Sequence, residues 1–141
     1  MDTQQDLLAD ADYAALANFR HEIRKFLAFS EACAIQVGLT PQQHQALLAI
    51  RGAEADQATV GYVADRLILK PHSATGLLDR LEAIGLVRRN SDKGDRRRAL
   101  LQLTEKAHNL LHTLSTVHRD EIRRLRPMLT GIFAMLDRDD R

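Results

Sequence analysis

The hydrophobic period of this chain changes twice, and the place where it changes limits the fold more than any other feature. Between Thr59 and Ile84 apolar residues recur every three or four positions, as they do on the buried face of a helix. Val60, Val63, Ala64 and Leu67 form one short stripe, and Ala74, Leu77, Leu78, Leu81 and Ile84 form a second. Ile68 to Lys70 read as a tight turn between them, and Pro71 suits the first turn of the helix that follows. Gly85 fits the position just past a helix end. The period then drops to two. Leu86-Val87-Arg88-Arg89 and Arg98 to Leu103 read as strands, and the Asn, Ser, Asp and Gly of residues 90–97 favour a loop between them. After Thr104 the helical period returns.

Two short helices across a three-residue turn, followed by a hairpin, predict a winged helix-turn-helix. Long helices flank it. Leu16, Phe19, Ile23, Phe26, Leu27, Ser30, Cys33 and Val37 make one stripe over residues 13–37, which Gly38 ends. Thr40, Pro41 and Gln43 carry the pattern of a capped helix start, with Gln43 completing a capping box, and that segment closes at Gly52. A polar loop leads to Thr59, a second N-cap. Thr104 caps a last long helix, which Pro127 is expected to break before a terminal helical piece containing Met128, Ile132 and Phe133. The fold class expected is therefore mainly α with a small β-hairpin wing. One domain spans residues 1–141, with the winged lobe over 40–103 and long helices over 13–37 and 104–137. A helix of 25 residues is roughly 38 Å long, which overruns a small lobe, so the apolar faces of the two long helices suit packing against each other within the chain or pairing of two copies.

A net charge of +1 hides an uneven distribution. Residues 66–98 hold nine basic side chains against four acidic ones, a local excess of +5 that the rest of the chain opposes. That asymmetry, centred on the hairpin, suits a polyanionic partner. B-DNA offers a major groove that admits a helix and a minor groove that attracts a basic finger. Residues His72, Ser73 and Thr75 stand at the start of the second short helix, Lys93, Arg96, Arg97 and Arg98 on the hairpin, and Arg88 and Arg89 at its base, where at least one should reach the DNA backbone. The single Cys33 excludes an intramolecular disulfide and a multi-cysteine zinc site, and fits a reducing cytoplasm. Met1 to Asp12 is acidic and lacks an apolar run behind basic residues, so no secretory leader is expected, and no apolar stretch approaches a membrane span.

The segments Thr59 to Leu67, Ser73 to Glu82 and Gly85 to Arg89, then Asp95-Arg96-Arg97 followed by Leu103-Thr104-Glu105-Lys106, occur in an order and spacing that resembles the core of the multiple-antibiotic-resistance regulator (MarR) family. The resemblance covers roughly residues 59–107, and the long flanking helices match that family's dimerisation helices in placement. It implies a bacterial or archaeal cytoplasmic, nucleoid-associated regulator of transcription. Such a protein binds a palindromic operator in double-stranded DNA as a homodimer, is most often a repressor, and answers to a small-molecule effector. It implies that Ser73 and Thr75 face the DNA, and that Arg97 enters the minor groove held by Asp95 through a charge-assisted hydrogen bond. Arg80 would reach phosphate. Two positions depart from the family pattern. Lys70 stands where relatives often have a serine-like cap, and Gly76 stands where many have a longer polar side chain, which leaves His72 as a substitute reader.

Arg80 lies between Asp79 and Glu82, so tying the helix to its neighbours is an equal reading for it. Phe26, Phe29, Cys33, His44 and Leu48 are candidates for an effector pocket, with packing as the alternative for each. Cys33 sits on an apolar stripe far from a helix N-terminus, which favours core over redox sensor. His108 and His112 have the spacing of a bidentate metal site, but without an identifiable Cys or carboxylate partner no metal is expected. No cofactor is expected, and no glycine-rich phosphate loop, nucleophile with a placed base, or carboxylate pair points to an enzyme. The remaining alternative is a winged-helix protein-interaction module that never touches DNA.

Overall fold

The computed structural model describes residues 7–92 and 95–139, with the backbone alone at 91, 92, 95–98, 135, 136, 138 and 139. Helix α1 (Asp10–Gln36) is followed by α2 (Pro41–Gly52), α3 (Val60–Leu67) and α4 (Pro71–Ala83). Strands β1 (Val87–Asp92) and β2 (Asp95–Leu103) come next, then α5 (Glu105–Thr113) and α6 (Ser115–Asp139). Residues 31–116 form one compact unit, the winged lobe, and residues 1–30 with 117–141 form another.

Local chemistry sets the starts of these helices. Thr40 caps α2 with a complete capping box, its hydroxyl accepting from the Gln43 N–H at 3.1 Å while Gln43 Oε1 accepts from the Thr40 N–H at 3.0 Å. Thr59 caps α3 and Thr104 caps α5 with the hydroxyl alone, accepting from the Tyr62 and Ala107 N–H groups. In the lobe, Leu47, Val63, Leu78 and Leu81 are wholly buried, joined by Ala46, Leu77, Leu86 and Val87. Each such leucine contributes roughly 1.5–3 kcal/mol by leaving water, which is what holds three short helices against a two-stranded sheet.

Three sequence expectations need correction. Residues 90–97 were expected to loop, yet the ladder runs beyond Val87 opposite Leu103 to Asn90 opposite Leu100 and Asp92 opposite Asp95, with an irregularity between Asn90 and Asp92. Turn-forming residues here are overridden by the pairing of the strands that carry them. The helix after Thr104 breaks at Leu114, not at Pro127. Ser115 Oγ donates to the His112 carbonyl at 2.7 Å, closing α5, whereas α6 continues through Pro127. Proline removes one backbone donor, and because Arg123 and Pro127 are both exposed, water can satisfy the carbonyl left over. Finally, Ile84 caps α4 and is exposed rather than buried.

The turn between α3 and α4 hinges on Ile68, whose φ of 54° is the only positive value at a non-glycine residue among those described. Its N–H closes α3 onto Ala64 and Asp65. The side chain is 92% exposed, so nothing is gained by packing it.

Candidate nucleic-acid interface

Helix α4 presents its first turn without a side-chain cap. Lys70 occupies the N-cap position and makes no capping hydrogen bond, and Pro71 follows at N1. The first N–H to bond back within the helix is that of Ala74, to Lys70. The N–H groups of His72 and Ser73 thus add to the positive end of the helix dipole, an arrangement suited to an anion. Lys70, His72, Ser73 and Thr75 are all exposed around this end, while Ala74, Leu77 and Leu78 fix the opposite face in the core. The Thr75 hydroxyl donates to the Pro71 carbonyl at 3.0 Å, so toward solvent it offers a methyl group and acceptor lone pairs.

The hairpin roots beside this helix. Leu101 N–H donates to the Ala58 carbonyl at 2.7 Å, and Thr104 N–H to the Leu86 carbonyl at 3.1 Å. The Thr104 hydroxyl donates to the Gly85 carbonyl at 2.7 Å while accepting from Ala107 N–H at 3.3 Å. Lys106 Nζ donates to the Ile84 carbonyl at 3.0 Å. One junction therefore joins the end of α4, the base of the wing and the start of α5.

Arg88 is exposed at the wing base. Arg89 turns elsewhere: its Nη2 donates to Asp79 Oδ1 at 2.7 Å, and its Nε lies 3.5 Å from Glu82 Oε2 without making a hydrogen bond. Asp79 and Glu82 stand three residues apart and share one face of α4, so β1 is clamped to the helix by three charges. The sequence reading missed this clamp, although the i, i+3 acid pair was visible opposite a strand arginine. Arg80, exposed between those acids, lies with Nη2 3.9 Å from where a β-carbon on Gly76 would stand. Of the expected wing residues, Lys93 lies outside the described residues. Asp95, Arg96, Arg97 and Arg98 belong to β2, and the proposed Asp95–Arg97 contact concerns side chains outside the described set.

Residues 37–98 match the family model described as the MarR family. Over that segment the chain is similar to the MarR family. A curated relative is the HTH-type transcriptional regulator TtmR of Methylorubrum extorquens, 37% identical over 103 residues. That match takes in 73% of this chain and 48% of TtmR, so the chain spans about half the length of that relative. Among solved structures, AbsC of Streptomyces coelicolor, a MarR family transcriptional regulator, superposes with a TM-score of 0.73 at 22% identity, covering 94% of this chain and 91% of AbsC. Staphylococcus aureus MepR in its DNA complex gives 0.65 at 19% identity, covering 93% and 98%. The winged helix-turn-helix expected from the sequence is the MarR-family fold found here.

The residues considered for an effector pocket divide between the two units. In the lobe, His44 is 2% exposed, Cys33 is half-buried and Leu48 is exposed. In the other unit Phe26 is half-buried, and Phe29 carries the Arg124 guanidinium 5.3 Å above its ring. His108 Nδ1 is engaged by Arg51 Nη1, and among the described residues no three His, Cys, Asp or Glu side chains gather as a metal site. No helix among them is long and apolar enough to cross a membrane. Glu121 of α6 is 4% exposed, and its Oε1 has no hydrogen-bond partner among the described residues. Burial raises its carboxyl above the usual range against an opposing pull from Arg124, and burial lowers His118.

Proposed function

We propose that this chain is a sequence-specific DNA-binding regulator of transcription, working inside the cell as a homodimer on a palindromic operator. The observation that carries this reading is the uncapped, polar N-terminal turn of α4 beside a hairpin whose second strand carries Arg96, Arg97 and Arg98 in sequence. In this reading α4 enters the major groove, its first-turn N–H groups and Ser73 take phosphate and base edges, and Lys93, Arg96, Arg97 and Arg98 reach the minor groove. Tyr13, Leu16 and Leu27 on α1 and Ile122, Leu129 and Phe133 on α6 are exposed apolar side chains, which supports burial against a second copy. Repression is the expected outcome of operator occupancy. A small-molecule effector would act by favouring a dimer whose half-sites no longer match the DNA spacing.

The test is fluorescence anisotropy of the full chain with its own upstream intergenic DNA, against a scrambled duplex, at two salt concentrations. Tighter, salt-sensitive binding to the native duplex supports the reading. Arg97→Ala should weaken that binding about 10-fold or more while leaving the melting temperature unchanged. Equal, weak binding to every duplex tried, including those selected from a random library, would favour the interaction module instead.

A further inference from the structure

Two observations on α4 bear on how such a helix would read sequence. Arg89 occupies both carboxylates that flank Arg80 in the chain, Asp79 at 2.7 Å and Glu82 at 3.5 Å. Arg80, which points away from both of them, makes no ion pair with any described residue and is exposed. The second observation is the notch at Gly76. A β-carbon built there would meet nothing within 4 Å except Arg80 Nη2 at 3.9 Å. Residues 76 and 80 are one helical turn apart, and side chains on a helix lean toward its N-terminus. The guanidinium thus lies back over the bare backbone of Gly76, on the stripe shared by Ser73, Gly76 and Arg80, toward the half of α4 that leads into the groove.

We infer that Arg80, seated in the Gly76 notch, is the guanine-reading residue of this recognition helix. A phosphate contact needs only a point charge at the rim of the groove. A guanidinium held along the exposed stripe of the helix, free of any ion pair with a described residue, can present two N–H donors to the O6 and N7 acceptors of guanine. Gly76 supplies the space that a longer residue would fill. A glycine in mid-helix costs about 1 kcal/mol relative to alanine, and the room it leaves for Arg80 is a physical use for it. This inference rests on the DNA-binding reading above and deepens it.

Duplexes selected by the full chain from a random library provide the test. Each guanine of the enriched half-site is replaced in turn by 7-deazaguanine, which lacks the N7 acceptor. At one symmetry-related guanine the substitution should cost the wild-type protein about 10-fold in affinity and cost Arg80→Ala nothing further. Arg80→Lys should keep the salt dependence but lose most of that discrimination. Gly76→Gln should fill the notch and behave as Arg80→Ala does at this guanine, while melting no lower than wild type because Gln is the better helix former. The inference is overturned if Arg80→Ala remains as sensitive as wild type at every guanine and its salt slope shrinks by about one, the mark of a lost phosphate contact. Half-sites without an invariant guanine would overturn it as well. A library that enriches no sequence would defeat the DNA-binding reading itself, and the inference with it.

Discussion

Ile68 shows how one residue can hold an element boundary against its own preference. A β-branched side chain in the left-handed region costs about 1–2 kcal/mol, and at 92% exposure Ile68 recovers none of it through packing. Ile68→Asn should therefore stabilise the lobe by about 1 kcal/mol, read as a higher urea midpoint with an unchanged slope. A lower midpoint would show that the side chain is needed where it stands. Glu121 is the opposite kind of residue, a carboxyl that burial pushes up. Its neutral form is favoured in the folded chain, so the stability it contributes is present below the unfolded carboxylate range and is lost as pH rises through the raised value. Glu121→Gln should consequently raise the melting temperature at pH 7, with the gain shrinking toward pH 4. His118, lowered by burial, acts the other way, losing stability as pH falls below the ordinary imidazole range. The difference between wild type and Glu121→Gln isolates the glutamate from it.

At the scale of elements, the helix starts were legible because each is written in a few adjacent residues: Thr40 with Gln43, Thr59, Pro71 and Thr104. The ends of the wing strands were not, since pairing across the hairpin extends strands through residues whose local preference is to turn. Pro127 misled for a related reason. Solvent can take the carbonyl that it frees, and α6 runs through it despite the steric cost, while α5 closes at Leu114 with a serine hydroxyl bonded three residues back. Helix α4 was placed correctly from its apolar stripe, but the partners of its charged residues were not legible, because they depend on which arginine of β1 reaches Asp79. Arg89→Ala and Asp79→Ala, combined in a double-mutant cycle on stability, should show a coupling of about 1 kcal/mol or less, given the exposure of the pair.

For the whole molecule, the order of elements could be read from spacing and the family resemblance from the residues of its motifs, whereas assembly rests on surfaces that a single chain leaves open. Exposed Leu16, Ile122 and Phe133 predict a melting temperature that rises with protein concentration, as mass action requires of a folded dimer. Phe133→Lys should abolish that dependence and yield a monomer by sedimentation. The Thr104 junction bears on what such a dimer could do. Its hydroxyl and N–H bind Gly85 and Leu86, between α4 and β1, and the first turn of α5 at one point. A torque applied along α5 therefore swings reader and finger together, like a hand turned at the wrist with its grip unchanged. The quantity open to adjustment is the distance between two hands, so a signal that loosens the protein from DNA should alter which half-site spacings it accepts and leave the preferred half-site sequence as it was.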